Sequence, residues 1–223
     1  MSSATYNQDG DVGIITMDDG KANAMNPTMI GAVNDCLDQA ERDAKAVILT
    51  GRENVLSGGF DLKIIRGGDP EAARAMSLGG ARLMMRLYGL PKPLVLATRG
   101  HSVALGGFML LTGDYRIGAA GDFTIGLNEV AIGMTLPPFG LMLARARLAS
   151  NHLQNATINA NLYDPAGAVA AGFLDEAIAR DDVLTRAGAK AAQFAQLDSS
   201  AFIRTKLDFR GEDIERIVAG LGR

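Results

Sequence analysis

Short, nearly continuous apolar runs alternate along this chain with longer stretches in which apolar residues recur at helical spacing. Asp11-Val12-Gly13-Ile14-Ile15-Thr16-Met17 reads as a strand, and Asp18-Asp19-Gly20 behind it is a turn signal. Asn26-Pro27 predicts an N-cap with proline at the first helical position. Ile30, Val33, Cys36, Leu37 and Ala40 then share one helical face. Residues 46–50 read as a buried strand. Asp69-Pro70-Glu71 opens a helix carrying Met76, Leu83, Met84 and Leu87, which Pro91 and Pro93 end. Residues 93–98 are a third strand, followed by a helix through residues 108–111, and residues 114–118 and 122–125 read as two more short strands. From Pro137 onward the pattern is helical, with breaks near Asn151, Asp164-Pro165 and Gly172. One helix starts at Asp181-Asp182 and runs to about Gln196, and residues 202–221 form one or two charged amphipathic helices. This order predicts right-handed βαβ units with mainly parallel pairing, followed by a helical last third.

Two glycine-rich corners interrupt the pattern where strand character gives way to helix: Leu56-Ser57-Gly58-Gly59-Phe60-Asp61-Leu62 and residues 100–107, Gly100 to Gly107. The first N–H groups of a helix have no partner inside it and carry partial positive charge. Two such termini aimed at one point would hold a developing oxyanion. Glu129, in Ile125-Gly126-Leu127-Asn128-Glu129, is the carboxylate placed to act as base, or alternatively to cap the apolar stretch behind it.

Composition narrows the function classes. The chain has 223 residues, 48% of them hydrophobic, which is ample for a packed core. A net charge of −3, with both signs mixed along the chain, argues against a nucleic-acid surface. No apolar run reaches the roughly 18 residues that span a bilayer. The N-terminal residues 1–7 lack a basic segment leading into an apolar one, so the expected compartment is the cytoplasm. Cys36 is the single cysteine, which excludes an internal disulfide; it reads as a buried, inert thiol. The histidines, His101 and His152, have no metal-ligand spacing, and no metal is expected. Twenty-seven glycines imply tight turns and close backbone approaches, and most of the ten methionines read as core filler.

Taken in order, Lys21-Ala22-Asn23-Ala24-Met25-Asn26, Ser57-Gly58-Gly59-Phe60-Asp61-Leu62-Lys63, residues 100–107, Asp114-Tyr115-Arg116-Ile117 and Gly126-Leu127-Asn128-Glu129 resemble the crotonase (enoyl-CoA hydratase/isomerase) superfamily. The resemblance covers about residues 10–178. It implies an α/β fold of the ClpP/crotonase class: a spiral of ββα units over residues 1–178 and a helical, trimerising C-terminal region over residues 179–223, shortened relative to the family. It implies an acyl-CoA thioester substrate, no cofactor beyond the coenzyme A that the substrate carries, and a homotrimer or hexamer. The oxyanion hole would use the backbone N–H groups of Phe60 and Leu105, both expected at helix starts. Glu129 matches a catalytic glutamate. Lys21 and Lys63 are candidates for the CoA phosphates, with solvent exposure as the alternative. Ala22, Ala24, Gly59, Asp61, Gly106 and Phe108 would line the CoA and acyl path.

One departure bears on the reaction. Hydratases of this family carry a second glutamate shortly after the second corner; counted back from Asp114, that position is Phe108 here. Water addition needs a water shared between two carboxylates, whereas moving a proton along one allylic face needs one. The pattern is therefore similar to the Δ3,Δ2-enoyl-CoA isomerases. The resemblance leaves three alternatives: a hydratase, another thioester reaction of the family, or an acyl-CoA-binding protein with a relic site. Asp61 reads as a capping residue or a second acid, and His101 as polar packing or a base. A bulky Phe60 costs nothing at its N–H but narrows the site.

Overall fold

The computed structural model describes residues 3–221. Met1 and Ser2, part of the N-terminal segment read above, lie outside the described residues.

A six-stranded sheet forms the centre. Its order is β1 (Ala4–Asp9), β2 (Val12–Met17), β3 (Ala46–Thr50), β5 (Leu94–Thr98), β7 (Tyr115–Ala119) and β10 (Glu176–Ile178). Only the β1–β2 hairpin is antiparallel; every other pairing is parallel. A second sheet of four short strands runs alongside in the order β4 (Asn54–Ser57), β6 (Gly100–Val103), β8 (Ile125–Gly126) and β9 (Leu162–Tyr163). After the β1–β2 hairpin and the helix behind it, three successive turns of the chain each give one strand to the large sheet, one to the small sheet, and then helix. Thus β3 and β4 precede α2 (Leu62–Ile65) and α3 (Pro70–Tyr88), β5 and β6 precede α4 (Leu105–Thr112), and β7 and β8 lead to α5 (Pro138–Arg147). This is the ββα spiral.

The reasons are local and then collective. Ala46-Val47-Ile48-Leu49-Thr50 and Leu94-Val95-Leu96-Ala97-Thr98 are buried at every position, as central parallel strands covered on both faces must be. α1 (Pro27–Asp43) covers one face through Met29, Ile30, Val33, Cys36, Leu37 and Ala40, and begins where Asn26 Oδ1 accepts the Met29 N–H at 2.9 Å. Cys36 is buried there, and desolvation followed by the nearby Asp35 pushes its thiol up. On the other face α8 (Val183–Phe194) presents Val183, Ala187 and Ala191 to Ile48, Val95 and Ile117. Alanines at that spacing let the helix lie close to the sheet.

Several expectations are corrected. The first glycine corner does not follow β3 directly: β4 intervenes, and the second corner begins with strand β6. Of residues 122–125, only Ile125 joins a strand. The last third includes β9 and β10 among α6 (Ser150–Thr157), α7 (Pro165–Ala171), α8 and α9. The charged C-terminal stretch is one helix, α9 (Ser199–Gly220), capped by Asp198.

α9 is held by buried charge. Asp114, at the entry to β7, accepts Lys206 Nζ at 2.7 Å, Arg210 Nη2 at 2.9 Å and the Leu94 N–H at 2.8 Å. Burial pulls the Lys206 ammonium down to about 8 against the opposing effect of Asp114. Arg116, two residues on, is paired with Asp175 at 2.7 Å. The acid and arginine of this motif therefore hold the scaffold together.

Candidate active site

The first corner is built by nonlocal backbone pairing. Met25 and Phe60 form an isolated parallel bridge: the Met25 N–H donates to the Gly59 carbonyl at 2.9 Å, and the Asp61 N–H donates to the Met25 carbonyl at 3.4 Å. Successive peptide groups of extended chain point opposite ways, so the intervening Phe60 N–H faces away from Met25. Among the described residues it has no protein acceptor. The expectation that Phe60 sits at a helix start is corrected: the N-cap of α2 is Asp61, whose carboxylate accepts the Lys63 N–H at 2.9 Å. The donor is exposed by bridge geometry, not by a helix terminus.

Asn23 pins this corner. Its buried Nδ2 donates to the Met17 carbonyl at 2.9 Å and the Leu56 carbonyl at 3.1 Å, and Ser57 Oγ donates to the Asn23 carbonyl at 2.8 Å. Asp19 gathers the N–H groups of Lys21, Asn23 and Ala24; burial pushes its carboxyl up, but these bonds outweigh that and hold it below the ordinary value.

The second corner does end in a helix. Leu105 is the first residue of α4, and the first intrahelical bond runs from the Phe108 N–H to the Ala104 carbonyl at 3.1 Å. The Leu105 N–H is thus left free. Ala104 adopts φ 54°, ψ −122°, a conformation a non-glycine residue holds only at a cost of about 1–3 kcal/mol. The two corners touch. A side chain on Gly59, itself at φ +100°, would begin 2.8 Å from Ala104 Cβ and 3.6 Å from the Leu105 nitrogen. Gly106 lies against the Ser57 carbonyl, where a Cβ would sit 2.2 Å away.

Both N–H-bearing residues line one cavity of about 390 Å³, together with Phe108, Phe139, Met134 and Glu129. Glu129 follows β8 and precedes a 3-10 turn (Val130–Ile132) whose closing bonds return to its carbonyl. Its side chain caps nothing: Oε2 is buried without a partner, and the residue is 6% exposed. Burial pushes its carboxyl up to about 7, opposed only by its own backbone N–H. A carboxyl at that value takes and returns protons near neutral pH. It is the one carboxylate among the described residues lining the cavity. Asn128 Oδ1, also in the wall, is likewise buried and unpartnered.

The remaining residues divide clearly. Phe108 is buried and stands edge-on to Phe139 with centroids 5.5 Å apart. The Phe60 ring lies over α3, where a Cβ on Gly80 would meet it at 2.5 Å; Gly80 makes room for the bulky residue. Ala22 packs on Gly58, which lines the cavity, while Lys21 and Lys63 are exposed. Lys21, Ala22, Ala24, Gly59, Asp61, Lys63 and Gly106 are not part of the cavity wall. His101 is exposed, its Nδ1 accepting the Thr124 N–H at 3.0 Å, and His152 sits beside Tyr163; neither reaches the cavity. Among the described residues no group of three or more His, Cys, Asp or Glu could hold a metal ion, and no helix is long and apolar enough to cross a membrane. Sequence reasoning missed Arg74, Ser77 and Thr135 in the wall. The spacing of Arg74, Ser77, Leu78 and Ala81 on one face of α3 was the available signal.

Known proteins are similar to this chain in sequence and in fold. A probable enoyl-CoA hydratase of Mycobacterium avium is 30% identical over 190 residues, 81% of this chain and 72% of that protein. The rat mitochondrial enoyl-CoA delta isomerase 1 is 31% identical over 185 residues, 80% of this chain and 62% of that one. The solved structure of a Mycobacterium tuberculosis enoyl-CoA isomerase superposes with a TM-score of 0.94 at 41% identity, covering 99% of this chain and 96% of that one. The family model for enoyl-CoA hydratase/isomerase matches residues 7–212. With the spiral fold, the paired amides and the buried glutamate in place, the chain belongs to the enoyl-CoA hydratase/isomerase family.

Proposed function

We propose that the protein isomerises 3-enoyl-CoA to 2-enoyl-CoA with Glu129 as its sole acid and base. The observation that carries this reading is the single carboxylate in the cavity wall among the described residues, with Phe108 where a second would be needed to hold a water. The thioester carbonyl accepts from the Phe60 and Leu105 N–H groups. Glu129 takes a proton from C2; the C2–H electron pair forms a C1–C2 double bond and the carbonyl pair moves onto oxygen, giving a dienolate that keeps its C3–C4 double bond and whose oxygen is held by the same two donors. The protonated carboxyl then returns the proton to C4, leaving the double bond between C2 and C3. The donors act most strongly on the charge that develops in the transition state.

Lys21 and Lys63 would meet the CoA phosphates, and Ala22, Ala24, Gly59, Asp61 and Gly106 the rest of the CoA path. No separate cofactor enters. A trimer or hexamer in the cytoplasm completes the proposal, and a stable monomer in light scattering would refute that part. Hydration of 2-enoyl-CoA is the second reading, favoured by the unpartnered oxygens of Asn128 and Glu129, which offer two acceptors to a water. An ultraviolet assay separates the two. Conjugation of trans-3-hexenoyl-CoA without loss of 2-hexenoyl-CoA supports the isomerase. Net hydration of 2-hexenoyl-CoA overturns it.

A further inference from the structure

A second depression is unused by the chemistry above. An open groove of about 660 Å³ runs between α5 and α9, lined by Leu141, Met142 and Ile217, with Arg145 and the Asp213–Arg216 ion pair also in its wall. Pro138 and Leu221 line both this groove and the catalytic cavity. The two spaces are thus separated by one layer of side chain. Pro138 opens α5, and Leu221 is the residue that closes α9, its N–H bonded to the Ile217 and Val218 carbonyls. Leu221 is only partly buried, packed against the main core.

The partition is held from outside the cavity. α9 is fixed to the scaffold by Lys206 and Arg210 on Asp114 and by Arg210 Nη1 on the Tyr88 carbonyl at 2.8 Å. These anchors lie three and four turns before Leu221, so they set where the helix runs while leaving its last turn to packing alone. A cavity of about 390 Å³ bounds a chain whose thioester is gripped at Phe60 and Leu105, and Pro138 and Leu221 are the two residues of its wall that also line the groove. An alkyl chain matches the aliphatic part of this wall, Leu136, Leu141, Met142 and Ile217, while Arg145, Asp213 and Arg216 can keep their charged ends in water.

We propose that the distal end of a long acyl chain passes between Pro138 and Leu221 and lies in the groove between α5 and α9, so that Leu221 sets the range of chain lengths accepted. This rests on the acyl-CoA reading of the cavity but not on which reaction occurs there.

The test uses hexanoyl-, decanoyl- and tetradecanoyl-CoA, below their micelle-forming concentrations, with binding measured by calorimetry. These thioesters have no double bond to move, so the result is independent of turnover. Burying a methylene is worth about 0.8 kcal/mol, which is up to about fourfold in affinity per carbon. The wild-type protein is expected to keep gaining affinity from decanoyl- to tetradecanoyl-CoA. Leu221→Trp, which fills the passage, is expected to abolish that gain. Leu141→Glu, which puts a charge into the groove from the partly buried face of α5, is expected to lower the ratio of tetradecanoyl to hexanoyl affinity by about tenfold or more. It also serves if the Trp variant does not fold. The proposal is overturned if wild-type affinity is flat beyond hexanoyl-CoA, or if both variants weaken short and long chains equally. It is also overturned if Leu141→Glu alters only the size of the assembly in light scattering, which would make the groove a contact between copies. Chain-length-dependent binding in a protein that fails to isomerise hexenoyl-CoA would refute the isomerase and leave the groove standing.

Discussion

Replacing Glu129 by glutamine should make the protein more stable as the pH rises, while stopping its chemistry. The carboxyl titrates at about 7 in the fold because burial disfavours its charged form, against 4.5 for an ordinary glutamate. Between those two values the folded chain holds a proton that the unfolded chain has released, so stability falls with increasing pH across this window. Below pH 4.5 both states are protonated and nothing is lost; above 7 the loss is complete. At 1.36 kcal/mol per unit, the site costs about 3 kcal/mol at pH 8. Glutamine cannot ionise, so that cost vanishes. For a chain of this size the difference corresponds to roughly 6–12 °C in melting temperature. The assay is thermal unfolding of both proteins from pH 4.5 to 8 at one protein concentration. The difference at pH 4.5 gives the fixed cost or gain of the amide group; the change in that difference with pH is the signal. A difference that stays flat between pH 5 and 8 refutes the raised value, and with it the argument that Glu129 is a base near neutrality.

Other outcomes follow from the same geometry. In the wild-type enzyme kcat/KM for 3-hexenoyl-CoA should rise with pH through an apparent value near 7, because the base must be ionised; a profile flat from pH 5.5 to 8.5 would exclude Glu129 from that role. Gly106→Ala brings a methyl group within 2.2 Å of the Ser57 carbonyl and displaces the start of α4, so kcat should fall about 10²- to 10³-fold, the cost of one lost oxyanion donor. Phe108→Glu returns a carboxylate to the cavity wall, and hydration of 2-hexenoyl-CoA should appear; its absence would mean that the second acid needs more than its position. Asp114→Asn strands two buried cations and should cost about 3–5 kcal/mol in urea unfolding, far more than a substitution at an exposed pair such as Asp11–Lys45.

What the sequence made legible was chemistry that acts over a few residues. Asn26 and Asp69 announce α1 and α3 because a cap bonds N–H groups two or three positions on. Ala46-Val47-Ile48-Leu49-Thr50 announces a central strand because both of its faces are buried. The strands that were missed are short and half polar. Gly100-His101-Ser102-Val103 is a strand only because Asn54 to Ser57 lie beside it, and nothing within four residues states that. The Phe60 amide was expected to be free because it opens a helix, whereas it is left without a protein acceptor by a bridge to Met25, far away in the chain. Asp114 and Arg116 were visible as a motif, but their work as anchors depends on Lys206, Arg210 and Asp175, whose contribution has no local signature. Glu129 was recognisable by its neighbours, whereas its loss of solvent, which gives it a useful proton affinity, exists only once the cavity is closed.

The anchoring of α9 has a consequence for the life of the newly made chain. Lys206 finds Asp114 across 92 residues, and Arg210 finds Tyr88 across 122. Both glycine corners and Glu129 precede these partners, so during synthesis Asp114 and the catalytic cavity emerge before the helix that completes the wall. At about 5–20 residues per second the 92 residues from Asp114 to Lys206 take roughly 5–20 s. For that interval Asp114 is an uncovered acid and the acyl cavity stands open on the side of Leu221, exposing apolar surface that a chaperone or a second nascent chain can reach. Docking of α9 is then the maturation step. A chain stalled before residue 199 should show proteolytic cleavage around Asp114 and fail to bind acyl-CoA, and release of the full-length chain should remove both defects together.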